Sequence, residues 1–122
     1  MKVLIVEDSA VVRAALTRLL AAIDQVEIVG EAGNAAEAIS LTRKLRPDAL
    51  ILDIRLPDRS GVEVLKTVKR SVHAPMVVVL TNNYYPELER KCLDEGADFF
   101  LDKAKDFGKL FQIFGGRHTN LG

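Results

Sequence analysis

The length, composition and charge of the chain exclude several kinds of protein. Its 122 residues suit one compact domain, and a hydrophobic content of 48% is enough for a packed core and too high for a disordered chain. Seventeen Lys and Arg residues balance seventeen Asp and Glu residues, so the net charge gives no electrostatic argument for direct nucleic-acid binding. Every apolar run falls short of the ~20 residues that span a bilayer, and we therefore expect a cytoplasmic protein without a membrane segment.

Segments typical of strands and of helices alternate along the chain. Short apolar runs rich in Val, Ile and Leu indicate strands that are buried on both faces, whereas apolar residues spaced three and four apart indicate helices. In chain order, the predicted elements are strand 2–7, helix 9–22, strand 26–32, helix 35–45, strand 49–53, helix 61–71, strand 76–80, helix 86–95, strand 98–101 and helix 105–114.

Residues near the predicted helix ends support these boundaries. Ser9 and Asn34 are good N-cap residues, and Glu37 stands three positions after Asn34, as in a capping box. Pro86 suits the first turn of its helix, and Gly96 suits the position after the last turn. The basic residues of the third helix are interpreted as a solvated face: Lys66, Lys69 and Arg70.

Five consecutive strand–helix pairs predict an α/β fold with a parallel sheet and helices on both faces. Five strands favour the doubly wound, flavodoxin-like strand order 2-1-3-4-5, whereas a (β/α)₈ barrel needs roughly twice this length. We expect a single domain over residues 1–114 and a flexible C-terminal tail over residues 115–122.

Acidic residues follow two of the apolar strands. Glu7 and Asp8 come directly after VLIV, and Asp53 directly follows ALIL. In the predicted order these two strands are neighbours, and ligands of open α/β sheets bind at the carboxyl ends of strands where the winding direction switches. The three acids should meet at that edge, where their carboxylate oxygens suit Mg²⁺.

Two further polar residues reach the same edge of the predicted sheet. Thr81 ends the fourth strand and supplies a hydroxyl, and Lys103 follows the fifth strand and supplies an ammonium group suited to phosphate oxygens. A carboxylate can attack phosphorus and form an aspartyl phosphate. Mg²⁺ and Lys103 would stabilise the charge on the transferred group, so the pattern predicts phosphoryl chemistry at Asp53.

The ordered set of motifs resembles the receiver domain of two-component response regulators along nearly the whole chain. Each motif alone is weak, whereas the set in this order and spacing is highly specific. The matching motifs are Glu7-Asp8 after VLIV, Asp53 followed by Leu56-Pro57 and Gly61, Thr81 after VVVL, and Gly96-Ala97-Asp98 leading to Lys103.

The resemblance implies an acceptor and a metal site. Asp53 would accept a phosphoryl group from a phosphohistidine on a sensor histidine kinase or a histidine phosphotransfer protein. Asp8, Asp53 and the backbone carbonyl of Arg55 would coordinate Mg²⁺, and Glu7 would support the metal through water.

The resemblance also implies how the signal leaves the site. Thr81 would move toward the phosphoryl group, and Phe100 stands at the position of the family's aromatic switch. The surface formed by the fourth helix, fifth strand and fifth helix would then report the change to an output protein that the sequence does not identify, and it could also pair two copies of the chain.

Two residues near the site depart from the family's usual pattern. Asn82 replaces a small residue, and we hypothesise that it narrows access for the phosphodonor or for hydrolytic water. Ala104 replaces a proline that often follows a cis bond; a cis Lys103–Ala104 bond would cost about 3 kcal/mol, so this loop is either strained or trans. Arg55 and Asn83 stand at positions that tune the phosphoryl lifetime in the family.

The favoured function is a phosphorylation-controlled switch that is not an enzyme and acts through protein–protein contact. One alternative is the N-terminal receiver of a longer DNA-binding regulator. Another is a Mg²⁺-dependent phosphatase with an aspartate nucleophile, although that class normally has a second acid where this chain has Arg55. A flavin carrier would need a glycine-containing phosphate loop where this chain has Glu7-Asp8-Ser9-Ala10.

Overall fold

Five parallel strands and five helices alternate in the computed structural model, which describes residues 1–115. The strands are β1 Lys2–Val6, β2 Glu27–Ala32, β3 Ala49–Leu52, β4 Met76–Thr81 and β5 Phe99–Asp102. The helices are α1 Ala10–Ala21, α2 Ala35–Leu45, α3 Gly61–Lys69, α4 Pro86–Asp94 and α5 Lys109–Gly115. The sheet order is β2-β1-β3-β4-β5, which confirms the predicted doubly wound, flavodoxin-like α/β fold.

Two apolar layers cover the two faces of the sheet. Successive strand residues point to opposite faces, so Leu4 of β1 packs into the layer covered by α2, α3 and α4, whereas Ile5 packs into the layer covered by α1 and α5. Cys92 of α4 is a fully buried member of the first layer. Because helices cover both faces of the sheet, polar residues can gather at the ends of the central strands.

The predicted N-caps of the first two helices are confirmed. Ser9 Oγ accepts a hydrogen bond from the Val12 N–H at 3.3 Å, and Asn34 Oδ1 accepts one from the Glu37 N–H at 2.8 Å. The Glu37 carboxylate accepts a bond from the Gly33 N–H at 2.8 Å instead of closing the box onto Asn34. These bonds satisfy amide groups that have no partner within the helix.

The last helix begins at Lys109, so the predicted start at residue 105 is wrong. Side chains compete with the helix in the preceding segment. The Asp102 N–H donates to Asp106 Oδ2 at 2.9 Å, and the Ala104 N–H donates to Asp102 Oδ1 at 2.8 Å. These local bonds fold the chain into turns and fix the backbone on both sides of Lys103.

The predicted tail, residues 115–122, lies outside the described residues except for Gly115, which ends α5. Within residues 1–115, no helix has both the length and the apolar character needed to cross a bilayer.

Candidate functional site

Three acids converge at the carboxyl end of the sheet. Oxygens of Glu7, Asp8 and Asp53 lie within 4.8 Å of one another. The Asp53 N–H donates to the Val6 carbonyl at 2.9 Å, so the pairing of β1 with β3 continues into the residue that carries the carboxylate. Glu7 and Asp53 are buried, with 2% and 6% of their surface exposed, while Asp8 is open to solvent. The expected meeting of these acids is therefore observed.

Lys103 reaches into this acidic group from the end of β5. Its Nζ lies 2.6 Å from Glu7 Oε1 and 3.3 Å from Asp53 Oδ2, and only 10% of its side chain is exposed. The Lys103 N–H donates to the Thr81 carbonyl at 3.0 Å, which continues the pairing of β4 with β5. The Lys103–Ala104 bond is trans. Ala104 therefore does not prevent the ammonium from reaching the acids.

Burial is the main influence on the Glu7 carboxyl and raises its pKa above the usual value. The nearby Asp53 carboxylate raises this pKa further. Hydrogen bonds from the Lys103 ammonium and from the Ser9 N–H act in the opposite direction without cancelling the effect of burial. Among the described residues, the three carboxylates have one ion-pair partner, Lys103, and this excess of negative charge favours a bound cation.

Mg²⁺ prefers oxygen ligands such as these clustered carboxylates. One of the carboxylates, that of Asp8, is open to solvent. The Arg55 N–H donates to Asp53 Oδ1 at 3.2 Å, so this loop folds back over the Asp53 carboxylate. The residues therefore fit a small, hard divalent cation.

Thr81 lies at the same edge and is fully buried. Its Oγ1 accepts a hydrogen bond from the Asn83 N–H at 3.1 Å, within the loop that joins β4 to α4. The hydroxyl is thus engaged by its own loop, and the adjacent Asn82 is exposed. Thr81 does not cap α4, because Tyr85 occupies the N-cap position of that helix.

Phe100 on β5 is half-buried and packs against a tyrosine of the same loop. The rings of Tyr84 and Phe100 lie 5.7 Å apart at 56°. The Tyr84 hydroxyl donates to Glu89 Oε1 at 2.8 Å, and this carboxylate raises the pKa of Tyr84. Tyr84 therefore links Phe100 to α4, a role that the sequence pattern does not distinguish from ordinary loop packing.

Asp58 supports the loop beside the site, although no motif in the sequence indicates this role. Its two carboxylate oxygens accept hydrogen bonds from the Ala35 N–H at 2.7 Å and the Ala36 N–H at 3.0 Å. The loop after Asp53 is thereby tied to the first turn of α2. The only sequence signal is an acid following Pro57 in a loop, and it does not specify a distant helix as the partner.

Gly61 allows α3 to begin directly against the backbone of Asp53. A Cβ at this position would lie 2.3 Å from the Asp53 carbonyl oxygen and 2.7 Å from Ile54 Cα. The Gly61 N–H also donates to the Ile54 carbonyl at 2.7 Å. The backbone that carries Asp53 is therefore held in place by a contact that only glycine permits.

These features define a flavodoxin-like α/β domain with a candidate divalent-metal site beside a lysine. The family model of the response regulator receiver domain matches residues 3–114. The chain therefore belongs to the family of response-regulator receiver domains.

Curated and solved relatives agree with this assignment. The transcriptional regulatory protein BtsR of Salmonella typhi is 44% identical over 109 residues, which are 89% of this chain and 44% of BtsR. The response regulatory domain of MrkE from Klebsiella pneumoniae has a TM-score of 0.85 at 25% identity, covering 98% of this chain and 97% of that one. A CheX–CheY–BeF₃–Mg²⁺ complex from Borrelia burgdorferi has a TM-score of 0.78 at 25% identity, covering 93% and 89%. The chain likewise covers 52% of a curated relative from Pseudomonas aeruginosa. It thus spans about half the length of the curated relatives it matches.

Proposed function

We propose that this receiver domain is a switch controlled by phosphorylation of Asp53. The observation that carries the proposal is the position of the Asp53 carboxylate, which lies beside two other acids, Glu7 and Asp8, and 3.3 Å from the Lys103 ammonium. A carboxylate at the carboxyl end of the strands, beside a fixed positive charge, is suited to receive an anionic phosphoryl group.

In the proposed reaction, an Asp53 carboxylate oxygen attacks the phosphorus of a phosphohistidine on a sensor kinase or a phosphotransfer protein. The new P–O bond forms as the P–N bond breaks, and the departing imidazole nitrogen keeps the electron pair and takes a proton. Lys103 holds an oxygen of the transferred group. The protein acts on itself in this reaction, as a switch and not as a turnover enzyme.

Mg²⁺ is the proposed cofactor. Asp8, Asp53 and the Arg55 carbonyl would hold it, and Glu7 would support it through water. When bound, the ion neutralises charge on the phosphoryl oxygens. The acidic group described above supports this assignment, and the similar CheX–CheY complex contains Mg²⁺ with BeF₃.

The proposed switch uses Thr81 and Phe100. To bond a phosphoryl oxygen, the Thr81 hydroxyl turns toward Asp53, which changes its contact with the Asn83 N–H. The loop that carries Tyr84 would move with it, and Tyr84 is the residue in ring contact with Phe100. Phosphorylation would thus shift an existing equilibrium between two arrangements of this loop.

The output surface is proposed to be the face formed by α4, β5 and α5. Two large apolar side chains are exposed on these elements, Leu93 of α4 and Phe99 of β5. Their exposure supports contact with an output protein or with a second copy of the chain.

A receiver within a longer DNA-binding regulator is the second candidate for the whole protein. BtsR carries the name transcriptional regulatory protein, and this chain spans only 44% of its length. The mass of the protein purified from its native source would separate the two candidates. An aspartate-nucleophile phosphatase has less support, since the exposed Arg55 replaces the second acid of that class, and turnover of p-nitrophenyl phosphate would detect it.

Incubation with acetyl phosphate and Mg²⁺, followed by intact-mass analysis, tests the proposed function. We expect a gain of one phosphoryl group that Asp53→Asn abolishes and that chelation of the metal suppresses. Asp24→Asn, which removes an exposed acid at the end of α1, serves as the matched control and should retain the modification. An equal mass gain in Asp53→Asn would overturn the assignment of the acceptor.

A further inference from the structure

A concave surface away from the proposed phosphorylation site lies between α2 and α3, and we call it the α2–α3 groove. It consists of a cavity of about 400 Å³ at one end and a larger cavity of about 650 Å³ at the other. Ile39, Arg43 and Thr67 border both cavities, so the two form one continuous surface. None of the proposed phosphorylation-site residues lines it.

The lining of this groove is strongly basic. Neither cavity has an aspartate or glutamate among its described lining residues, although the whole chain has a net charge of zero. Such a local excess of one sign of charge indicates a surface that attracts the opposite charge. The cationic side chains that line the α2–α3 groove are Arg43, Lys44, Arg46, Arg59 and Arg70.

These cations have no ion-pair partner in the part of the chain that the structure describes. Among residues 1–115, no carboxylate oxygen lies within the 4.0 Å ion-pair distance of any of the five. In contrast, Lys66 and Lys69 on the other side of α3 pair with Glu95 at 3.9 Å and Asp98 at 2.8 Å. The basic residues predicted to form one solvated face of α3 are thus divided, and Arg70 belongs to the groove.

The groove also exposes apolar surface between its charges. Ile39 of α2 lines it and is half-buried, and Val72, just after α3, is 94% exposed. An apolar patch surrounded by charged side chains is the common arrangement of a protein-interaction surface. Arginine suits its edge because the guanidinium group can hold a carboxylate through two parallel hydrogen bonds.

We propose that the α2–α3 groove docks an acidic peptide segment of a partner protein, in which carboxylates flank an apolar side chain. The carboxylates would pair with Arg43 and Arg70, and the apolar side chain would cover Val72. A peptide fits better than a single-stranded nucleic acid, because a groove that binds single strands stacks the bases on aromatic side chains, and neither cavity has Phe, Tyr or Trp among its described lining residues. The nine residues of α3 span ~14 Å at ~1.5 Å per residue, which an extended peptide covers with about four residues at ~3.3 Å each.

Fluorescence anisotropy with a labelled peptide of alternating glutamate and leucine tests this proposal on the unphosphorylated chain. An extended alternating peptide presents its leucines on one face. We expect binding that weakens from ~50 to ~500 mM salt as screening increases. We also expect weaker binding when serine replaces each leucine. NMR titration with the same peptide should shift amide resonances of α2 and α3.

The double variant Arg43→Gln/Arg70→Gln should weaken binding by about tenfold. The matched control Arg18→Gln/Arg90→Gln removes the same charge from exposed positions on α1 and α4 and should bind as the parent does. All four side chains are exposed, so the variants should keep the melting temperature of the parent.

Three outcomes would overturn the proposal. They are no binding of the peptide, equal weakening in the control variant, and tighter binding of a single-stranded oligonucleotide than of the peptide at this groove. Asp53→Asn should leave peptide binding unchanged, so loss of the phosphorylation mechanism and loss of this docking site can be told apart.

Discussion

The Lys103 ammonium lies closer to Glu7 than to Asp53, at 2.6 Å from Glu7 Oε1 and 3.3 Å from Asp53 Oδ2. One lysine thus serves two buried carboxylates. Because burial raises the pKa of Glu7, the charged form of this acid depends on its cation. Lys103 therefore has a structural role in the unphosphorylated domain besides the role proposed for it in holding a phosphoryl group.

Replacing Lys103 should destabilise the domain. Lys103→Met leaves Glu7 and Asp53 close together without their positive partner, and we expect the free energy of unfolding at neutral pH to fall by ~1–3 kcal/mol. Urea denaturation measures this change. Saturating Mg²⁺ should restore more stability to the variant than to the parent, because the metal binds the folded acidic group and supplies the missing charge.

The control for this experiment is Lys109→Met, which removes an ion pair with Asp106 from a lysine that is 59% exposed. A solvent-exposed pair of this kind contributes only ~0.2–1 kcal/mol. If both variants lose the same small amount, or if Mg²⁺ stabilises the Lys103 variant no more than the parent, the structural role of Lys103 is refuted.

Adding one methyl group at Gly61 should disturb the site without removing any functional group. In Gly61→Ala the new Cβ would lie 2.3 Å from the Asp53 carbonyl oxygen, so the backbone has to move. We expect a loss of stability of ~1–3 kcal/mol from this overpacking, together with slower phosphorylation by acetyl phosphate. Gly108→Ala is the control, because a Cβ there meets no atom within 4 Å. Equal stability and rate in the two variants would contradict the prediction.

The sequence predicts the meeting of Glu7, Asp8 and Asp53 because the relation depends on topology alone. Each acid follows a short apolar strand, and parallel strands that are neighbours bring their carboxyl ends together. Neither the distance of each acid from Lys103 nor the burial of Glu7 follows from that argument. Both depend on how the turns after β5 direct the Lys103 side chain.

The start of α5 and the role of Asp58 show where local patterns fail. The residues from 105 onward have a helical pattern, yet the bonds between Asp102 and Asp106 favour turns. Asp58 accepts hydrogen bonds from the first turn of α2 across more than 20 residues of sequence, and no local spacing encodes such a contact. The α2–α3 groove is likewise a product of packing, since its arginines are scattered through the sequence between residues 43 and 70.

Asp58 should make the stability of the domain depend on pH. Hydrogen bonds from the Ala35 and Ala36 N–H groups hold the pKa of this carboxyl below its usual value. A carboxyl with a lowered pKa in the folded state stabilises the fold above its unfolded-state pKa, and this contribution disappears as the pH falls through the folded-state pKa. Asp58→Asn should therefore lower the melting temperature at neutral pH, with a difference from the parent that closes in the acidic range below the usual aspartate pKa.

Melting curves recorded by circular dichroism across that pH range measure this difference. Asp24→Asn removes an exposed acid elsewhere and should follow the parent at every pH. A gap between Asp58→Asn and the parent that stays constant into the acidic range would show that the charge of Asp58 is not what stabilises the loop.

Asn82 should influence the lifetime of the phosphorylated form. Asn82 is exposed and lies between Thr81 and Asn83. The Asn83 N–H donates to the Thr81 hydroxyl, so Asn82 stands in the loop beside the proposed phosphoryl position. If its side chain limits the approach of water, Asn82→Ala should lose its phosphoryl group about threefold faster, equivalent to ~0.7 kcal/mol from the barrier. Asn82→Gln keeps a bulky amide and should decay at nearly the rate of the parent. Intact-mass time courses after removal of acetyl phosphate give both rates, and an unchanged rate in Asn82→Ala would count against control of water access by this residue.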